Sequence, residues 1–250
     1  MNDYSVIARY YDELNCDCPY SEYSDFIREA FEKYGDVSKK KLCDYGCGTG
    51  ALTALLAQRG FEVTAFDISE EELSVAENRV RNMGLSARFL LSDLRRFDGN
   101  ASYNIGVCTM DCVNYLVLDR DVEAFFESVK KTLSDGGIFI FDVNTLYRFE
   151  KVYGDNAYVL ESENAFLGWQ NEYNPKSKRC RFYLTLFTEN ADGSYTRNEE
   201  IHTEKYHSVK KLLKLIEKQG LETVGVFGNI DFSPLTEESE KAYFVLRKTK

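Results

Sequence analysis

The sequence predicts an α/β protein in which helices cover both faces of a doubly wound, largely parallel sheet. Short apolar segments alternate with amphipathic segments of helical length, which is the pattern of successive strand–helix–strand crossovers. A turn with three glycines joins the first strand to its helix. The segment 138–143 is apolar at nearly every position, as expected for a strand that is buried on both faces.

Two helices are predicted before the glycine-rich turn, over residues 3–15 and 20–34. In the second helix, apolar side chains recur at intervals of three and four residues, which gives the helix one buried face. The residues of this face are Tyr23, Phe26, Ile27, Ala30, Phe31 and Tyr34.

After the glycine-rich turn, helices and strands alternate regularly up to residue 143. Ser69 and Glu72 have the spacing of a capping box, in which each side chain hydrogen-bonds the backbone nitrogen of the other residue at the start of a helix. The predicted helices cover residues 51–58, 69–84 and 122–133, and the predicted strands cover residues 62–66, 87–91, 103–110 and 138–143.

The pattern changes after residue 144. Up to three segments with β patterning follow one another without a crossover helix, so we expect them to form an antiparallel insertion. These segments are residues 166–173, 180–188 and 195–206. The chain then returns to a helix at 209–219 and to two strands at 222–227 and 242–247.

The net charge of the 250 residues is −10, which disfavours partners that require a basic surface. DNA and anionic membranes are such partners, and no apolar run is long enough to cross a bilayer. The short basic pairs Arg95–Arg96 and Lys210–Lys211 are expected to be solvated surface. The composition therefore predicts neither a DNA-binding nor a membrane protein.

The chain has seven cysteines, an odd number, and its first residues lack the basic and apolar regions of a secretory signal. Cys43 and Cys108 fall within predicted buried strands, where free cysteine behaves as a small apolar residue. These features predict a reduced, cytoplasmic protein. Cys16 and Cys18 have no second pair of Cys or His residues to complete a four-ligand set, so no metal site is expected.

The glycine-rich turn reads Asp44-Tyr45-Gly46-Cys47-Gly48-Thr49-Gly50. Glycines allow the backbone to turn sharply and to approach a ligand without intervening Cβ atoms. The turn can be matched to the dinucleotide-binding pattern G-x-G-x-x-G/A, with Asp67 as the acid that binds a ribose. Three features point elsewhere: Asp44 precedes the first glycine by two residues, the third glycine comes one position early, and Asp93 ends the third strand.

These acids and glycines resemble the signature of the class I S-adenosylmethionine-dependent methyltransferases, an acidic residue followed by x-Gly-x-Gly-x-Gly. The resemblance extends by motif over residues 42–143 and implies S-adenosyl-L-methionine as the cofactor. It also implies a Rossmann-like sheet of seven strands, mostly parallel with the last strand antiparallel, together with N-terminal helices and a small antiparallel β insertion. Residues 1–143 and 207–250 would then form the cofactor-binding domain, with residues 1–36 as a helical lid and residues 144–206 as an inserted β lid.

The resemblance also implies roles for single residues of the cofactor site. The glycine turn would pass beneath the methionine part of the cofactor. Asp67 would accept hydrogen bonds from both ribose hydroxyls, a role that suits an ionised carboxylate, and Asp93 would accept from the adenine amino group. The matching positions are Asp44, Gly46, Cys47, Gly48 and Gly50 in the turn, Asp67 with Ile68 at the adenine face, and Asp93 with Leu94.

Two further stretches resemble a subgroup of this family that acts on small molecules. Residues 4–12 match the opening Y-x-x-x-A-x-x-Y-D, from Tyr4 to Asp12, in which Tyr11 would place an aromatic face on the sulfonium. Such a cation–π contact is worth about 0.5–2 kcal/mol. Residues 111–115 resemble a D-S-x-N-Y run after the fourth strand, with Cys112 in place of the serine. Asp111 and Cys112 would close over the reacting methyl group.

By the same resemblance, the acceptor would lie beneath the inserted sheet, as in glycine and aminosugar N-methyltransferases. His202 is the candidate general base, with Tyr206 and His207 behind it. If residues 201–207 form a strand, His202 and Tyr206 share one face of it. The expected walls of the acceptor pocket are Tyr115, Tyr147 and Trp169.

The leading prediction is therefore an S-adenosylmethionine-dependent methyltransferase that acts on a small molecule, with a nitrogen acceptor slightly preferred over oxygen. We expect it to be a monomer or a homodimer. No Asn/Asp-Pro-Pro-Tyr run follows the fourth strand, which argues against a nucleobase of DNA as the acceptor. Two alternatives are a non-enzymatic binding or assembly protein with a methyltransferase fold and a nucleotide-cofactor oxidoreductase.

Overall fold

The computed structural model describes residues 7–15 and 17–249, with the side chain of Tyr11 excluded. The helix predicted at 3–15 therefore begins outside the described residues, and Tyr4 and Cys16 lie outside them as well. The helices are a 3-10 turn at Ile7–Arg9, α1 (Tyr11–Leu14), α2 (Tyr20–Tyr34), α3 (Ala51–Gln58), α4 (Glu70–Asn82), α5 (Asp119–Thr132) and α6 (Val209–Lys218), with a 3-10 turn at Cys112–Tyr115 and a π-helical turn at Arg148–Tyr153. In the described part of the chain, no helix is long and apolar enough to span a membrane.

Across residues 7–15 and 17–249, eleven strands form two sheets. In chain order they are β1 (Lys41–Tyr45), β2 (Glu62–Asp67), β3 (Arg88–Leu91), β4 (Tyr103–Cys108), β5 (Leu133–Asn144), β6 (Ala157–Glu161), β7 (Ala165–Asn174), β8 (Arg179–Glu189), β9 (Tyr195–Lys205), β10 (Leu221–Phe227) and β11 (Lys241–Lys248). The central sheet has the order β10-β11-β5-β4-β1-β2-β3. Within this sheet β11 runs antiparallel to both of its neighbours, and the other six strands run in one common direction. The fold class is therefore confirmed, including the antiparallel last strand.

Helices cover both faces of the central sheet and enclose two apolar cores. On one face, Phe125 and Phe126 of α5 pack on Phe139 and Phe141 of β5. Ile138 and Ile140 alternate with these phenylalanines along β5 and belong to the second core, with α2 and α3. Because successive side chains of a strand point to opposite faces, β5 is buried on both sides, as its apolar sequence predicted.

The second sheet is antiparallel, in the order β6-β7-β8-β9. The sequence pattern predicted its last three strands and missed β6, a short strand that is largely exposed along one face. The N-terminal region packs against this sheet, since Ile7 and Leu14 form an apolar cluster with Ala165, Leu167 and Leu186. The second sheet and the N-terminal region are therefore in contact.

Several element boundaries differ from the sequence-based expectation. β5 begins at Leu133, five residues before the predicted strand at 138–143. The strand predicted at 103–110 ends at Cys108, because Met110 and Asp111 have φ angles of +59° and +56°, which a strand does not contain. The helix predicted from residue 122 begins at Asp119, and the acids of its first turn are favoured there by the helix dipole.

Candidate active site

A cavity of about 380 Å³ lies at the carboxyl ends of β1, β2 and β4. In open α/β sheets this edge is where ligands bind, because the connections diverge there and leave a crevice. The cavity brings together residues that are far apart in the chain. Of the predicted site residues, those that line it are Asp44, Gly46, Cys47, Gly48, Asp67, Ile68, Asp93, Leu94, Asp111, Cys112 and Tyr115.

The glycine turn forms a cradle of backbone atoms on one wall of the cavity. The backbone nitrogens of Gly46 and Cys47 donate to the carbonyl oxygen of Phe66 at 2.8 and 3.1 Å, which fixes the turn against β2. The φ angles of Gly46 and Gly48 are +67° and +53°. A Cβ on Gly46 would lie only 3.0 Å from Sγ of Cys112. Both the left-handed backbone and the close approach favour glycine, so a ligand can lie directly on the main chain here.

The third glycine has a different function from the first two. Gly50 does not line the cavity; it precedes α3 with a φ angle of +74°. A Cβ at this position would lie 2.6 Å from Cβ of Ala76 in α4. Gly50 therefore allows α3 and α4 to pack closely, as the third glycine of such turns does in helix–sheet packing.

Asp44 ties the glycine turn to the helix that follows it. Its carboxylate is buried and accepts a hydrogen bond from Oγ1 of Thr53 at 2.5 Å. Burial raises the pKa of Asp44 to about 6, Thr53 opposes this rise, and Asp67 adds to it. Because Thr53 belongs to α3, the hydrogen bond holds both ends of the turn in place.

Asp67 ends β2 at the edge of the cavity, next to the exposed Ile68. Its Oδ2 accepts from the backbone nitrogen of Gly48 at 3.0 Å, and its Oδ1 accepts from the backbone nitrogen of Ser69 at 3.0 Å. Burial raises the pKa of Asp67, while these backbone donors lower it. Ile68 exposes 59% of its surface, so an apolar side chain is available at the rim for a flat ligand group.

Asp93 lines the cavity, but its carboxylate is paired with Arg95. Oδ1 of Asp93 accepts from the backbone nitrogen and from Nε of Arg95, each at 2.8 Å. The side-chain hydrogen bonds from Arg95 are the main reason that the pKa of Asp93 is lowered. A ligand amino group would have to share this carboxylate with Arg95, which the sequence pattern did not reveal.

The turn after β4 is held by buried ion pairs. The backbone nitrogens of Met110 and Asp111 donate to the carboxylate of Asp142 at 2.8 and 2.9 Å. Nζ of Lys241 donates to Oδ1 of Asp111 and to Oδ1 of Asp142, both at 2.7 Å. Burial alone would raise the pKa of Asp111, but Lys241 is the chief opposing influence and the net shift is downward. An ionised Asp111 is thereby held at the cavity wall.

The N-terminal region is joined to the glycine turn by Asp12. Its carboxylate accepts from Oγ1 of Thr49 at 3.0 Å and forms an ion pair with Arg79 of α4. Arg79 in turn donates to the carbonyl oxygen of Thr49 at 3.0 Å. The side chain of Tyr11, the predicted sulfonium contact, lies outside the described residues.

The residues predicted for the acceptor side are only partly brought together. His202 is buried, lies 3.0 Å from Glu200 through Nε2, and contacts the ring of Tyr115, which lines the cavity. Because β9 ends at Lys205, Tyr206 and His207 follow the strand and do not continue its alternation. None of the remaining predicted residues, Tyr147, Trp169, Tyr206 and His207, lines the cavity.

Trp169 and His207 lie in surroundings that differ from those of a catalytic pocket. Trp169 belongs to β7 of the second sheet and packs among Tyr153, Tyr158 and Phe182. Burial lowers the pKa of His207 to about 4, and the nearby Lys205 and Lys211 add to the shift. A group that is so weakly basic is a poor general base near neutral pH.

Sequence reasoning missed several residues of the cavity wall. Thr49, Glu72, Arg95 and Met110 line it, and Glu72 was assigned only to helix capping. For Thr49, Arg95 and Met110 the available signal was their position close to the glycines or to the acids that follow the strands. Within residues 7–15 and 17–249, no group of three His, Cys, Asp or Glu side chains is arranged to hold a metal ion.

Comparisons with known proteins agree with this geometry. Residues 42–137 match the family described as a methyltransferase domain. A protein of Geobacillus sp. (strain WCH70) that is assigned by name to the methyltransferases is 26% identical over 245 residues, 98% of this chain and 99% of that protein. YqeM of Bacillus subtilis (strain 168), assigned in the same way, is 28% identical over 248 residues, 99% of this chain and 98% of its own.

Solved structures extend the likeness to the whole chain. An S-adenosylmethionine-dependent methyltransferase from Clostridium acetobutylicum ATCC 824 has a TM-score of 0.87 and 27% identity, with 100% of both chains covered. The sugar N-methyltransferase KedS8 from Streptoalloteichus sp. shares the fold, with a TM-score of 0.78 at 15% identity over 98% of this chain and 93% of that one. The glycine cradle, the strand-end acids and these likenesses agree: residues 42–137 match a methyltransferase domain, and the whole chain has the fold of the class I S-adenosylmethionine-dependent methyltransferases.

Proposed function

We propose that the protein transfers the methyl group of S-adenosylmethionine to a nitrogen or oxygen atom of a small-molecule acceptor by in-line displacement. The observation that supports this most directly is one continuous cavity wall, which runs from Asp67 along the glycine turn to Asp111 and Tyr115. When bound, S-adenosylmethionine supplies an activated methyl group on a sulfonium sulfur. The residues of the chain would bind this donor at one end of the wall and an acceptor at the other.

The main contribution of these residues to the rate would be alignment. Asp44, through Thr53, fixes the glycine turn, and Asp142, through the backbone of Met110 and Asp111, fixes the opposite wall. Holding two reactants in a reactive geometry is worth up to about 7–11 kcal/mol in favourable cases. A rigid backbone cradle suits that role because it does not have to reorganise during the reaction.

Two observations favour a small acceptor. The second sheet and the N-terminal region pack against each other through the cluster of Ile7, Leu14 and Leu186, and Asp12 ties the N-terminal region to Thr49 of the cavity wall. The chain also carries a net charge of −10, which disfavours a nucleic acid. A ubiquinone biosynthesis O-methyltransferase of Rickettsia canadensis is 27% identical over 143 residues, 57% of this chain and 57% of that protein. Its name and that of the sugar N-methyltransferase leave both oxygen and nitrogen as candidate acceptor atoms.

His202 is the candidate for removing a proton from an acceptor that arrives protonated. Glu200 binds its Nε2, and its ring meets that of Tyr115 with the centroids 6.1 Å apart at an angle of 71°. His202 thus stands one residue away from the cavity wall. If it serves as the base, His202→Gln should lower kcat and change its pH dependence, whereas an unchanged pH–rate profile would remove His202 from the mechanism.

Calorimetric titration with S-adenosylmethionine and S-adenosylhomocysteine tests the proposal, followed by mass-spectrometric detection of methylated products in a panel of small amines and alcohols. Asp67→Ala should bind S-adenosylhomocysteine at least about tenfold more weakly, because charge-assisted hydrogen bonds are lost. Glu77→Ala, at an exposed position of α4, is the matched control and should bind normally. Failure of the wild-type protein to bind either compound at millimolar concentration would contradict the proposal.

A further inference from the structure

The carboxyl group of Glu72 is not used in the way that its sequence position predicts. Half of the capping box forms, since Oγ of Ser69 accepts from the backbone nitrogen of Glu72 at 3.2 Å. The reciprocal bond does not form, because the backbone nitrogen of Ser69 donates to Asp67. The side chain of Glu72 therefore does not cap α4 but lines the cavity.

One oxygen of this carboxyl group is buried without a hydrogen-bond partner in the described part of the chain. Glu72 exposes only 6% of its surface, and its Oε2 has no partner among the residues that the structure describes. Buried polar atoms in folded proteins are nearly always hydrogen-bonded, so an exception at a cavity wall points to a bound ligand that supplies the partner. Glu72 also carries no ion pair that would explain its burial in the described chain.

Glu72 and Asp67 both lie next to Gly48. Oδ2 of Asp67 accepts from the backbone nitrogen of Gly48 at 3.0 Å, and a Cβ placed on Gly48 would lie 3.5 Å from Oε2 of Glu72. The two carboxyl groups therefore meet the cavity at the same point of the glycine turn. A ligand with two adjacent hydroxyl groups could contact both, because a hydroxyl both donates and accepts.

We propose that Glu72 and Asp67 act as a carboxyl pair that binds the vicinal hydroxyl groups of the cofactor's ribose. The proposal rests on the proposed function and adds a ribose ligand, since the family resemblance assigns the ribose to Asp67 alone. It also gives a partner to Oε2 of Glu72, which is buried without one in the described part of the chain.

The surroundings of the two groups give them different protonation states. Burial is the main reason that the pKa of Glu72 is raised to about 8, and the neighbouring acids contribute to this rise. Asp67 is also buried, but backbone donors from Gly48, Ile68 and Ser69 stabilise its charge. Near neutral pH, Glu72 is therefore the hydrogen-bond donor of the pair and Asp67 the acceptor. The charged groups that face Glu72 are Asp67 at the end of β2, Asp12 of α1 (paired with Arg79), Glu200 of β9 (bound to His202) and Glu71 of α4.

The proposed carboxyl pair is tested by measuring the affinities of two proteins for two ligands. S-adenosylhomocysteine and its 2′,3′-dideoxy analogue are titrated into the wild-type protein and into Glu72→Leu at pH 7. The variant should bind S-adenosylhomocysteine about three- to tenfold more weakly, as expected for one lost hydrogen bond. It should bind the dideoxy analogue about as well as the wild-type protein does. Glu70→Leu, at an exposed position of the same helix, is the control and should change neither affinity.

The protonation of Glu72 is tested with Glu72→Gln, whose amide can also donate and accept but does not titrate. At pH 7 this variant should match the wild-type affinity within about twofold. Between pH 7 and pH 9 the wild-type protein should lose about tenfold more affinity than Glu72→Gln, because the neutral fraction of a group with a pKa of about 8 falls by that factor. Thermal midpoints measured in parallel show that each variant is folded.

Three results would contradict the proposed carboxyl pair. The first is unchanged affinity of Glu72→Leu for S-adenosylhomocysteine, and the second is an equal loss of affinity for S-adenosylhomocysteine and its dideoxy analogue. The third is the same pH dependence of affinity in the wild-type protein and Glu72→Gln. An equal loss would mean that Glu72 acts on a part of the ligand other than the diol. If the wild-type protein does not bind S-adenosylhomocysteine, the proposed function itself is wrong. That result is distinct from the other three, in which the wild-type protein binds.

Discussion

Asn114 joins the two sheets of the protein, because its side-chain amide nitrogen donates to the backbone carbonyl oxygen of Lys205 at 2.9 Å. Its side-chain oxygen accepts from the backbone nitrogen of Asn144 at 2.9 Å. Lys205 is the last residue of β9 and Asn144 is the last residue of β5. One fully buried side chain next to the cavity thus holds the end of the second sheet to the end of the central sheet.

Replacing Asn114 with alanine should therefore destabilise the protein by about 2–5 kcal/mol, because one buried and one partly buried backbone group lose their partners. Urea denaturation measures this change in the free energy of unfolding. Asn82→Ala, at the exposed end of α4, is the control and should change it by less than about 0.5 kcal/mol. Equal urea midpoints for the two variants would show that Asn114 does not connect the sheets energetically.

The packing of Gly50 against α4 predicts a difference between two glycine substitutions. Gly50 and Gly84 both have left-handed backbones, with φ angles of +74° and +67°. A Cβ on Gly50 would lie 2.6 Å from Cβ of Ala76, whereas a Cβ on Gly84 would meet nothing within 4 Å. Gly84→Ala should cost about 1 kcal/mol of stability, from its backbone alone. Gly50→Ala should cost about 1–3 kcal/mol more, from overpacking.

The two variants serve as each other's control, since the backbone strain is common to both. Chemical denaturation gives the two free energies, and their difference isolates the helix contact. If Gly50→Ala and Gly84→Ala were destabilised equally, close packing of α3 on α4 would not be the reason for the third glycine.

The parts of the site that could be predicted from the sequence are those that depend on residues close together in the chain. The glycine turn and Asp67 are examples, because glycine spacing and a strand-end acid have direct physical meanings. The contact of Lys241 with Asp111 could not be predicted, since 130 positions separate the two residues and only the path of β11 brings them together. Even a local sequence pattern can predict only part of a structure. In the predicted capping box, the backbone nitrogen of Glu72 donates to Oγ of Ser69, but the backbone nitrogen of Ser69 donates to Asp67 instead of Glu72.

Lys241 is expected to be essential for the stability of the cavity wall. It is the ion-pair partner of both Asp111 and Asp142, and Asp142 is fully buried. Burial alone would lower the pKa of Lys241, but the two carboxylates outweigh this effect and raise it. Lys241→Met would leave these carboxylates unpaired, which should cost about 3–5 kcal/mol in the free energy of unfolding.

A second substitution distinguishes lost charge pairing from lost packing. In Lys241→Met combined with Asp142→Asn, one of the unpaired charges is removed, so part of the lost stability should return. Denaturation of the two single variants and the double variant gives the interaction energy of the pair. Strictly additive losses would mean that Lys241 and Asp142 stabilise the protein independently.

His207 should make the protein less stable in acid. Burial lowers its pKa to about 4 in the folded protein, with Lys205 and Lys211 adding to the shift, whereas a histidine in the unfolded chain has a pKa of about 6.5. Between these values the unfolded chain binds the additional proton, so stability rises with pH from about 4 to 6.5 and is lost as the pH falls through that window. A difference of this size corresponds to about 3 kcal/mol.

His207→Leu removes this titration while it keeps a buried side chain of similar size. The free energy of unfolding of the wild-type protein relative to His207→Leu should therefore fall by about 2–3 kcal/mol between pH 7 and pH 4.5, as measured by urea denaturation at both values. Lys210→Gln, at an exposed position of α6, is the control, because it removes no group that titrates in this range. Its free energy of unfolding should differ from that of the wild-type protein by the same amount at both pH values. The carboxylates titrate in all three proteins and cancel in the comparison. If the free energies of unfolding of the wild-type protein and His207→Leu also differed by the same amount at both pH values, His207 would be protonated as easily in the folded protein as in the unfolded chain.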